Sequence, residues 1–340
     1  MIVWMVVLLL IVAASWFLTL ILRQYALKKS IIDIPNERSS HSVPTPRGGG
    51  VAIVVVFLLA LLCLPVLTDV SWAWVVALGG SGLLIAVVGF LDDHGHIAAR
   101  WRLMAHFFAA VWALFWLDGK LILQLPGLTI ELAWLVYILA AFFLVWLLNL
   151  YNFMDGIDGI ASVEAITACL GGVLIYWLLG HMSQIPVLLM LTAAVAGFLF
   201  WNFPPARIFM GDAGSGFLGL ILGLMAVTAT LVEPQLLWSW LILLGIFVVD
   251  ATWTLFRRLL RGDKVYEAHR SHAYQYASRE YGAHLPVTLV VLVINVLWLL
   301  PWACVVALGH VNGLLGLVIA YIPLMLLAVR FKAGALEVKA

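Results

Sequence analysis

The chain has 340 residues, of which 65% are hydrophobic and 10% charged, against the ~45–50% and ~25% typical of soluble domains. That balance, with a mean hydropathy of +1.12 and 16 Trp, excludes a soluble globular fold and fits a polytopic helical membrane protein. A net charge of +1 supplies no bulk basic field, which argues against nucleic acid as a partner.

Apolar windows predict an all-α fold of about eleven transmembrane helices, near 2–22, 49–67, 72–91, 103–117, 132–150, 160–180, 185–202, 214–232, 236–256, 287–308 and 314–329. None alternates in polarity as a barrel strand does, and helices satisfy their own backbone groups in lipid. The first 22 residues lack a positive n-region and run apolar for too long to be a secretory signal, so they read as an uncleaved helix. Residues 1–340 are expected to form one membrane-embedded domain. The three cysteines, Cys63, Cys169 and Cys304, all fall in apolar stretches and read as small core residues.

Alternate loops differ sharply in charge. One set holds Arg23, Lys28, Lys29, Arg38, Arg47, Arg100, Arg102, Arg207, Arg257, Arg258, Arg261, Lys264, Arg270, Arg279, Arg330, Lys332 and Lys339, while the other holds Lys120 alone. The positive-inside rule then places the N-terminus outside and the C-terminus in the cytoplasm. Outer loops are short and chemically poor: Asp69, the segment 118–131, His181 with Gln184, Glu233, and His310 with Asn312. One outer stretch, KLILQLPGLTIEL, alternates around a Pro-Gly turn and predicts a small hairpin near 120–132. Function is therefore sought on the inner loops 23–48, 92–102, 149–159, 202–214 and 257–286.

The first inner loop, IIDIPNERSSHSVPTPRGGG, carries Asp33, Arg38, His41 and Arg47 before three glycines. Gly48, Gly49 and Gly50 could let backbone N–H groups approach an anion, with Arg47 as a phosphate fork. The plainer alternative is a polar turn holding positive-inside charge. LDDHGH follows at the inner end of the third span. Its adjacent Asp92 and Asp93 repel each other near a membrane and call for a cation or a proton-transfer role, unless they form a solvated helix end. His94 and His96 read as interfacial side chains or as site residues.

NLYNFMDGIDG is the most specific motif. Asn149, Asn152, Asp155 and Asp158 recur at steps of three, so successive members neighbour one another on a helix or its unwound end. Four oxygen-bearing side chains make a ligand set for a hard cation or a polar substrate, and Gly156 and Gly159 permit irregular backbone there. In NFPPARIFMGDAGSG, Asn202 closes the seventh span, and Asp212 opens the eighth either as an N-cap or as a ligand. Asp250 lies inside the ninth span, where an ionisable residue is a functional candidate. The basic loop after it supplies Arg257, Arg258, Arg261, His269, Arg270 and His272, and the two histidines could face a phosphate together or stand exposed. Glu164, His106 and His284 read as packing or interface residues. Carboxylates, amides, arginines and histidines on one face suit phosphoryl transfer, in which a metal ion and cationic side chains neutralise spreading charge.

On SSHSVPTPRGGG, LDDHGH, NFMDGIDG, FMGDAGS and AHRSHAYQ, the stretch from Asp33 to Tyr274 resembles the polyprenyl-phosphate N-acetylhexosamine-1-phosphate transferases. That superfamily, glycosyltransferase family 4, includes the phospho-MurNAc-pentapeptide translocase, and the resemblance is closest to the bacterial O-antigen-initiating branch. It implies a multi-pass enzyme of the bacterial inner membrane. Undecaprenyl phosphate would attack the sugar-bearing phosphate of a UDP-N-acetylaminosugar, release UMP and leave a lipid-pyrophosphoryl sugar, initiating O-antigen, lipopolysaccharide or a related polysaccharide. The implied cofactor is Mg²⁺, or Mn²⁺. The implied catalytic residues are Asp92, Asp93 and Asp212, with Asn152 and Asp212 as metal ligands. Arg47, Asn149, Asp155, Asp158, Asn202, His269, Arg270 and His272 would bind substrate. His96 and the spacing of His269 and His272 depart from the family pattern. GlcNAc, N-acetylfucosamine and N-acetylquinovosamine all remain open as the sugar, and a monomer and a homodimer as the assembly. Asp92 need not be a base, since a phosphate monoester with a second pKa near ~6 is largely dianionic at neutral pH. Two other classes compete. An ion-coupled transporter would need paired broken helices and acids near the midplane, and an intramembrane aspartyl protease would need two facing carboxylates within spans.

Overall fold

A computed structural model describes residues 2–35, 39–68, 70–95, 97–117, 119–125, 127–263 and 269–336. Arg38, Asp69, His96, Lys264 and Lys339, named above, lie outside the described residues. The chain is helical almost throughout. In order it forms α1 (Ile2–Lys28), α2 (Val51–Leu67), α3 (Trp72–His94), α4 (Ala99–Trp116), α5 (Ala133–Met154), α6 (Ile160–Leu179), α7 (Ile185–Asn202) and α8 (Asp212–Val232). Then come α9 (Leu236–Leu243), α10 (Gly245–Leu260), α11 (Ala273–Tyr281), α12 (His284–Ile294), α13 (Leu300–Ala307) and α14 (Gly313–Arg330). A π-helical turn, Asn295–Leu299, joins α12 to α13 in one span.

Among the described residues, eight helices are long and apolar enough to cross a membrane, and the bent pair α9–α10 makes a ninth. The 17-residue α2 and α4, with Arg100 and Arg102 in its first turn, complete the eleven expected segments. α8 is the hub, with 89% of its apolar window buried, because its small residues let neighbouring helices approach its backbone.

The expected ninth span, 236–256, is not straight. α9 and α10 meet at an angle of 76° around Leu244. A helix break in lipid must re-satisfy the backbone groups it frees, and the Tyr321 hydroxyl from α14 donates to the Leu241 carbonyl at 2.6 Å. The tenth span starts earlier than expected, at His284, and its π-helical turn precedes Pro301, which lacks an amide proton for regular helix bonding. The basic loop contains a helix of its own, α11.

Two short antiparallel ladders flank the bundle. β1 (Ile32–Asp33) pairs with β2 (Thr45–Pro46) in the first inner loop. β3 (Leu123–Leu125) pairs with β4 (Leu128–Ile130), which is the expected outer hairpin, in the register Leu123↔Ile130.

Loops sort to two ends as the alternation of spans requires. At one end Trp238 Nε1 donates to the Gln124 carbonyl (3.2 Å), and His181 lies 3.4 Å from Glu233. At the other, Arg257 and Arg261 donate to the carbonyls of Ala333 (2.8 Å) and Gly334 (2.7 Å), so α9 and α10 together still carry the chain across. With the basic end cytoplasmic, single cysteines at Lys120 and Arg270 should label from opposite sides in intact and inverted vesicles. Labelling of both from one side would refute the orientation.

Candidate active site

The inner end of the bundle encloses a cleft of about 430 Å³ bounded by the first inner loop, the turn 155–159, the segment 209–212 and the start of α11 and α12. β2 does not stop at Pro46. Phe209 N–H donates to the Pro46 carbonyl (2.8 Å), and the amides of Gly49 and Gly50 donate to the carbonyls of Phe209 (2.9 Å) and Met210 (2.8 Å). The amides of Gly49 and Gly50 are thus taken up by backbone and do not form the expected anion cradle. Gly50 has a packing reason instead: a Cβ there would lie 2.5 Å from the Gly214 Cα and 2.9 Å from the Met210 carbonyl oxygen. Gly50→Ala should force α2 and α8 apart and cost about 1–3 kcal/mol, as overpacking usually does. A thermal midpoint equal to wild type in detergent would contradict this contact.

The acidic pair on the last turn of α3 divides its work. Asp93, with a side chain only 1% exposed, pairs with Arg47 and accepts from the amides of Asp212 (3.2 Å) and Ala213 (3.5 Å) at the start of α8. It therefore complements that helix's positive end. Asp92 accepts from the Ile97 amide at 2.8 Å and pairs with Arg102 of α4. Arg102 in turn lies 3.7 Å from Asp212, whose side chain is 31% exposed. Burial works against the Arg47 charge, but Asp93, Asp212 and Asp33 outweigh it and raise its pKa. One arginine to each aspartate removes the repulsion that adjacency would otherwise create.

Asp155 terminates α5 and faces the cleft. Burial, then the charges of Asp212, Asp93 and Asp158, hold its carboxyl well above the usual carboxylate range, the behaviour of an acid cluster short of positive charge. Asn152 lines the same cleft, its Oδ1 accepting from Ser215 Oγ at 2.6 Å with a second lone pair left over. Among the described residues no three His, Cys, Asp or Glu side chains form a ready-made metal cage. Mg²⁺ does not require one, since it commonly takes one or two carboxylates and completes its shell with water and substrate phosphates. The oxygen donors of Asn152 and Asp212 fit that partial role.

Other expected site residues brace the cleft. Asn202 is buried, with Oδ1 accepting from the Gly159 amide and Nδ2 donating to the Ile208 carbonyl, both at 3.0 Å. Asp158 accepts from the Ala206 amide at 3.0 Å and lies 3.1 Å from His284 Nδ1. Both line the cleft, yet their polar atoms are largely committed to holding the 155–159 turn against the 203–208 segment. Asn149 turns the other way. Its Nδ2 donates to the Val145 carbonyl (2.7 Å) and lies 3.2 Å from His106 Nδ1, in a lateral cavity of about 170 Å³ that also contains Asp92, Arg102, Asn152 and Asp212.

His269, Arg270 and His272, candidate substrate-binding residues from the sequence, are not among the residues that line the cleft. Asp250 explains why. From α10 it accepts from the amides of Ala273 (2.9 Å) and Tyr274 (3.1 Å), and its Oδ1 lies 3.3 Å from His272 Nδ1. The intramembrane acid thus caps α11 and pulls His272 into the interior. His269 stacks on His272 with ring centroids 4.9 Å apart. Burial, then His272 and Arg258, push its pKa down to about 3, so it is neutral at physiological pH. The two rings line a small cavity of about 80 Å³ beside Trp146, Asn149 and Phe153. Arg270 offers its carbonyl to Arg279 Nη1 at 3.2 Å.

Gln275 and His284 reach the cleft in their place. Gln275 was legible only as the fourth residue of a capping box begun by His272. His284 looked like an interface histidine and gains its place by meeting Asp158.

A series of neighbouring hollows flanks the polar centre. The lateral cavity shares Asn149 and Phe153 with the histidine cavity, which shares Trp146 with a groove of about 470 Å³ between α5, α10 and α14. That groove exists because α10 bends away at Leu244. It adjoins a further apolar hollow of about 230 Å³ through Phe143 and Leu241, beneath the outer hairpin.

A polar cleft at the inner end of an apolar helix bundle, with apolar hollows along its flank, defines a polytopic membrane protein with an inward-facing polar site. Residues 74–230 match the family model described as glycosyl transferase family 4. Over 268 residues, 75% of this chain and 72% of the relative, the sequence is 30% identical to a probable undecaprenyl-phosphate N-acetylglucosaminyl 1-phosphate transferase of Bacillus subtilis. It is 28% identical to a phospho-N-acetylmuramoyl-pentapeptide-transferase of Streptococcus thermophilus over 64% of this chain and 66% of the relative. An undecaprenyl-phosphate alpha-N-acetylglucosaminyl 1-phosphate transferase of Thermotoga maritima is 27% identical over 79% of this chain and 80% of its own length. The chain belongs to glycosyl transferase family 4, as a multi-pass protein of the bacterial inner membrane.

Proposed function

We propose that the protein transfers an N-acetylaminosugar 1-phosphate from a UDP-sugar to undecaprenyl phosphate, forming undecaprenyl-pyrophosphoryl-sugar and UMP. The observation that carries this reading is that Asn152 and Asp212 line both the cytoplasmic cleft and a lateral cavity on the side of the bundle. A nucleotide sugar entering from the cytoplasm and a lipid phosphate arriving from the bilayer would meet there. Similarity to undecaprenyl-phosphate N-acetylglucosaminyl 1-phosphate transferases supports a polyprenyl phosphate acceptor and an N-acetylated sugar 1-phosphate.

In this mechanism an oxygen of the acceptor phosphate attacks the sugar-bearing phosphorus. The bond from that phosphorus to the bridging oxygen breaks, and UMP leaves with the electron pair. Arg47 and Arg102, each held by one aspartate of the pair, stand on the two sides of Asp212 and orient phosphoryl oxygens. Asn152 and Asp212 would hold Mg²⁺ or Mn²⁺, which supplies charge neutralisation at the transferring phosphoryl group. Asp158 and Asn202 keep the cleft floor rigid, and the bent α9–α10 pair keeps the lipid side apolar and poor in water. The biological role we propose is initiation of O-antigen or a related envelope polysaccharide.

The test is an assay of purified protein with undecaprenyl phosphate and UDP-GlcNAc, UDP-N-acetylfucosamine or UDP-N-acetylquinovosamine. Lipid-linked sugar and UMP should appear in equal amounts, need both substrates, vanish with chelator and return with Mg²⁺ or Mn²⁺. UMP formed without the lipid acceptor, or no turnover with any of the three, would reject the reading.

A further inference from the structure

One turn into α6, Glu164 is fully buried, 0% exposed, where α6 meets the α9–α10 bend and the π-helical turn. Asn295, which opens that turn and is 3% exposed, donates from Nδ2 to Glu164 Oε2 at 2.7 Å and to Thr167 Oγ1 at 2.8 Å. The Phe247 amide in the first turn of α10 approaches the same carboxyl group. Two oxygens are left over. Glu164 Oε1 and Asn295 Oδ1 are both buried and have no hydrogen-bond partner.

A buried acceptor without a donor is costly, and an unpaired carboxylate in a bilayer more so. Here two orphaned acceptors belong to groups already joined through their other atoms, and a single hydrogen between them would satisfy both. A protonated carboxyl carries one such donor. The tyrosines facing the site from neighbouring helices do not supply it. Tyr151 of α5 donates to the Ala161 carbonyl (2.5 Å), and Tyr321 of α14 donates to the Leu241 carbonyl. Among the described residues no Lys, Arg or His forms an ion pair with Glu164.

We propose that Glu164 is a neutral acid whose Oε1–H donates to Asn295 Oδ1, closing a cyclic acid–amide pair that positions the cleft floor. The positioning follows from where the two helices meet again. At the cytoplasmic end, α12 holds the 155–159 turn through His284 beside Asp158 and through Thr288 Oγ1, which donates to the Asp158 carbonyl at 2.8 Å. The Glu164–Asn295 pair fixes the register of the same helices deeper in the bilayer, and the π-helical turn presents Asn295 to it. Glu164 acts through Asp158 and does not touch substrate. The positioning role rests on the proposed reaction only in its last readout.

Infrared difference spectra of the full-length protein against Glu164→Gln should show the carbonyl band of a protonated carboxylic acid lost in the variant. Loss of a carboxylate band instead would overturn the proposal, whatever reaction the site performs. Glutamine reproduces both edges of the pair, so Glu164→Gln should keep the wild-type thermal midpoint and bind the nucleotide sugar within about twofold. Glu164→Leu and Asn295→Leu should each weaken that binding about tenfold, equivalent to ~1.4 kcal/mol. Equal losses in Glu164→Gln and Glu164→Leu would also overturn it. Should the leucine variants fail to fold, the spectra and Glu164→Gln still decide the matter.

Discussion

Asp212→Asn is expected to lower turnover by about 10²–10³-fold, the range seen when one preorganised charge-stabilising group is removed from a transition state. Its side chain is more open than those of Asp92, Asp93 and Asp158 and lines both the inner cleft and the lateral cavity. Asparagine keeps the shape and can still begin α8, so the fold should survive. The charge that would help hold a divalent cation is lost, and Arg102 is left facing a neutral amide. Activity measured against Mg²⁺ concentration should show both a lower ceiling and a higher requirement. Asp69→Asn, in an outer loop, serves as the control and should stay within about twofold of wild type, like most surface substitutions. Unchanged turnover of well-folded Asp212→Asn would remove Asp212 from the site.

Asp92→Asn is expected to lose about 10²-fold, as a small misplacement of a positioned group can, with a pH dependence that argues against a base. A base would be by-passed as the acceptor phosphate ionises, so the variant would recover between about pH 6 and 8.5, across a second phosphate pKa near ~6. The geometry favours a constant defect. Both Asp92 oxygens already have donors, the Ile97 amide and Arg102, which suits a carboxylate that holds Arg102 in place. Without it Arg102 is free to close its 3.7 Å gap to Asp212 and compete for that carboxylate. Wild-type and Asp92→Asn profiles at saturating Mg²⁺ should run parallel. Convergence at high pH would restore Asp92 as the base.

Much of the cleft lining was legible because its members share helix ends. Asn152, Asp155 and Asp212 were singled out from spacing and from their position beside glycines, and all three line one cleft. The residues that lie outside the cleft share a different property. His269 and His272 looked like phosphate ligands because they were cationic candidates in the longest inner loop, yet a carboxylate twenty-two residues away in sequence captured one of them and the start of α11. The triple glycine resembled an anion cradle, yet two of its amides pair with residues 209 and 210. Each outcome depended on a partner remote in sequence.

Local composition was enough to give the helical membrane class, the approximate places of the segments, the charge asymmetry between their loops, the outer hairpin and the inner loops where polar residues gather. These follow from partition of each segment between water and lipid, which depends on local composition. Which of those polar residues face the cleft was set by packing across the bundle. Helix rotation and close approach, as at Gly50 against Gly214, set the direction of each side chain. Buried donors and acceptors then claimed partners across the bundle, turning Asp250, Asp158 and Asn202 into braces and leaving Asp212 open beside the cleft.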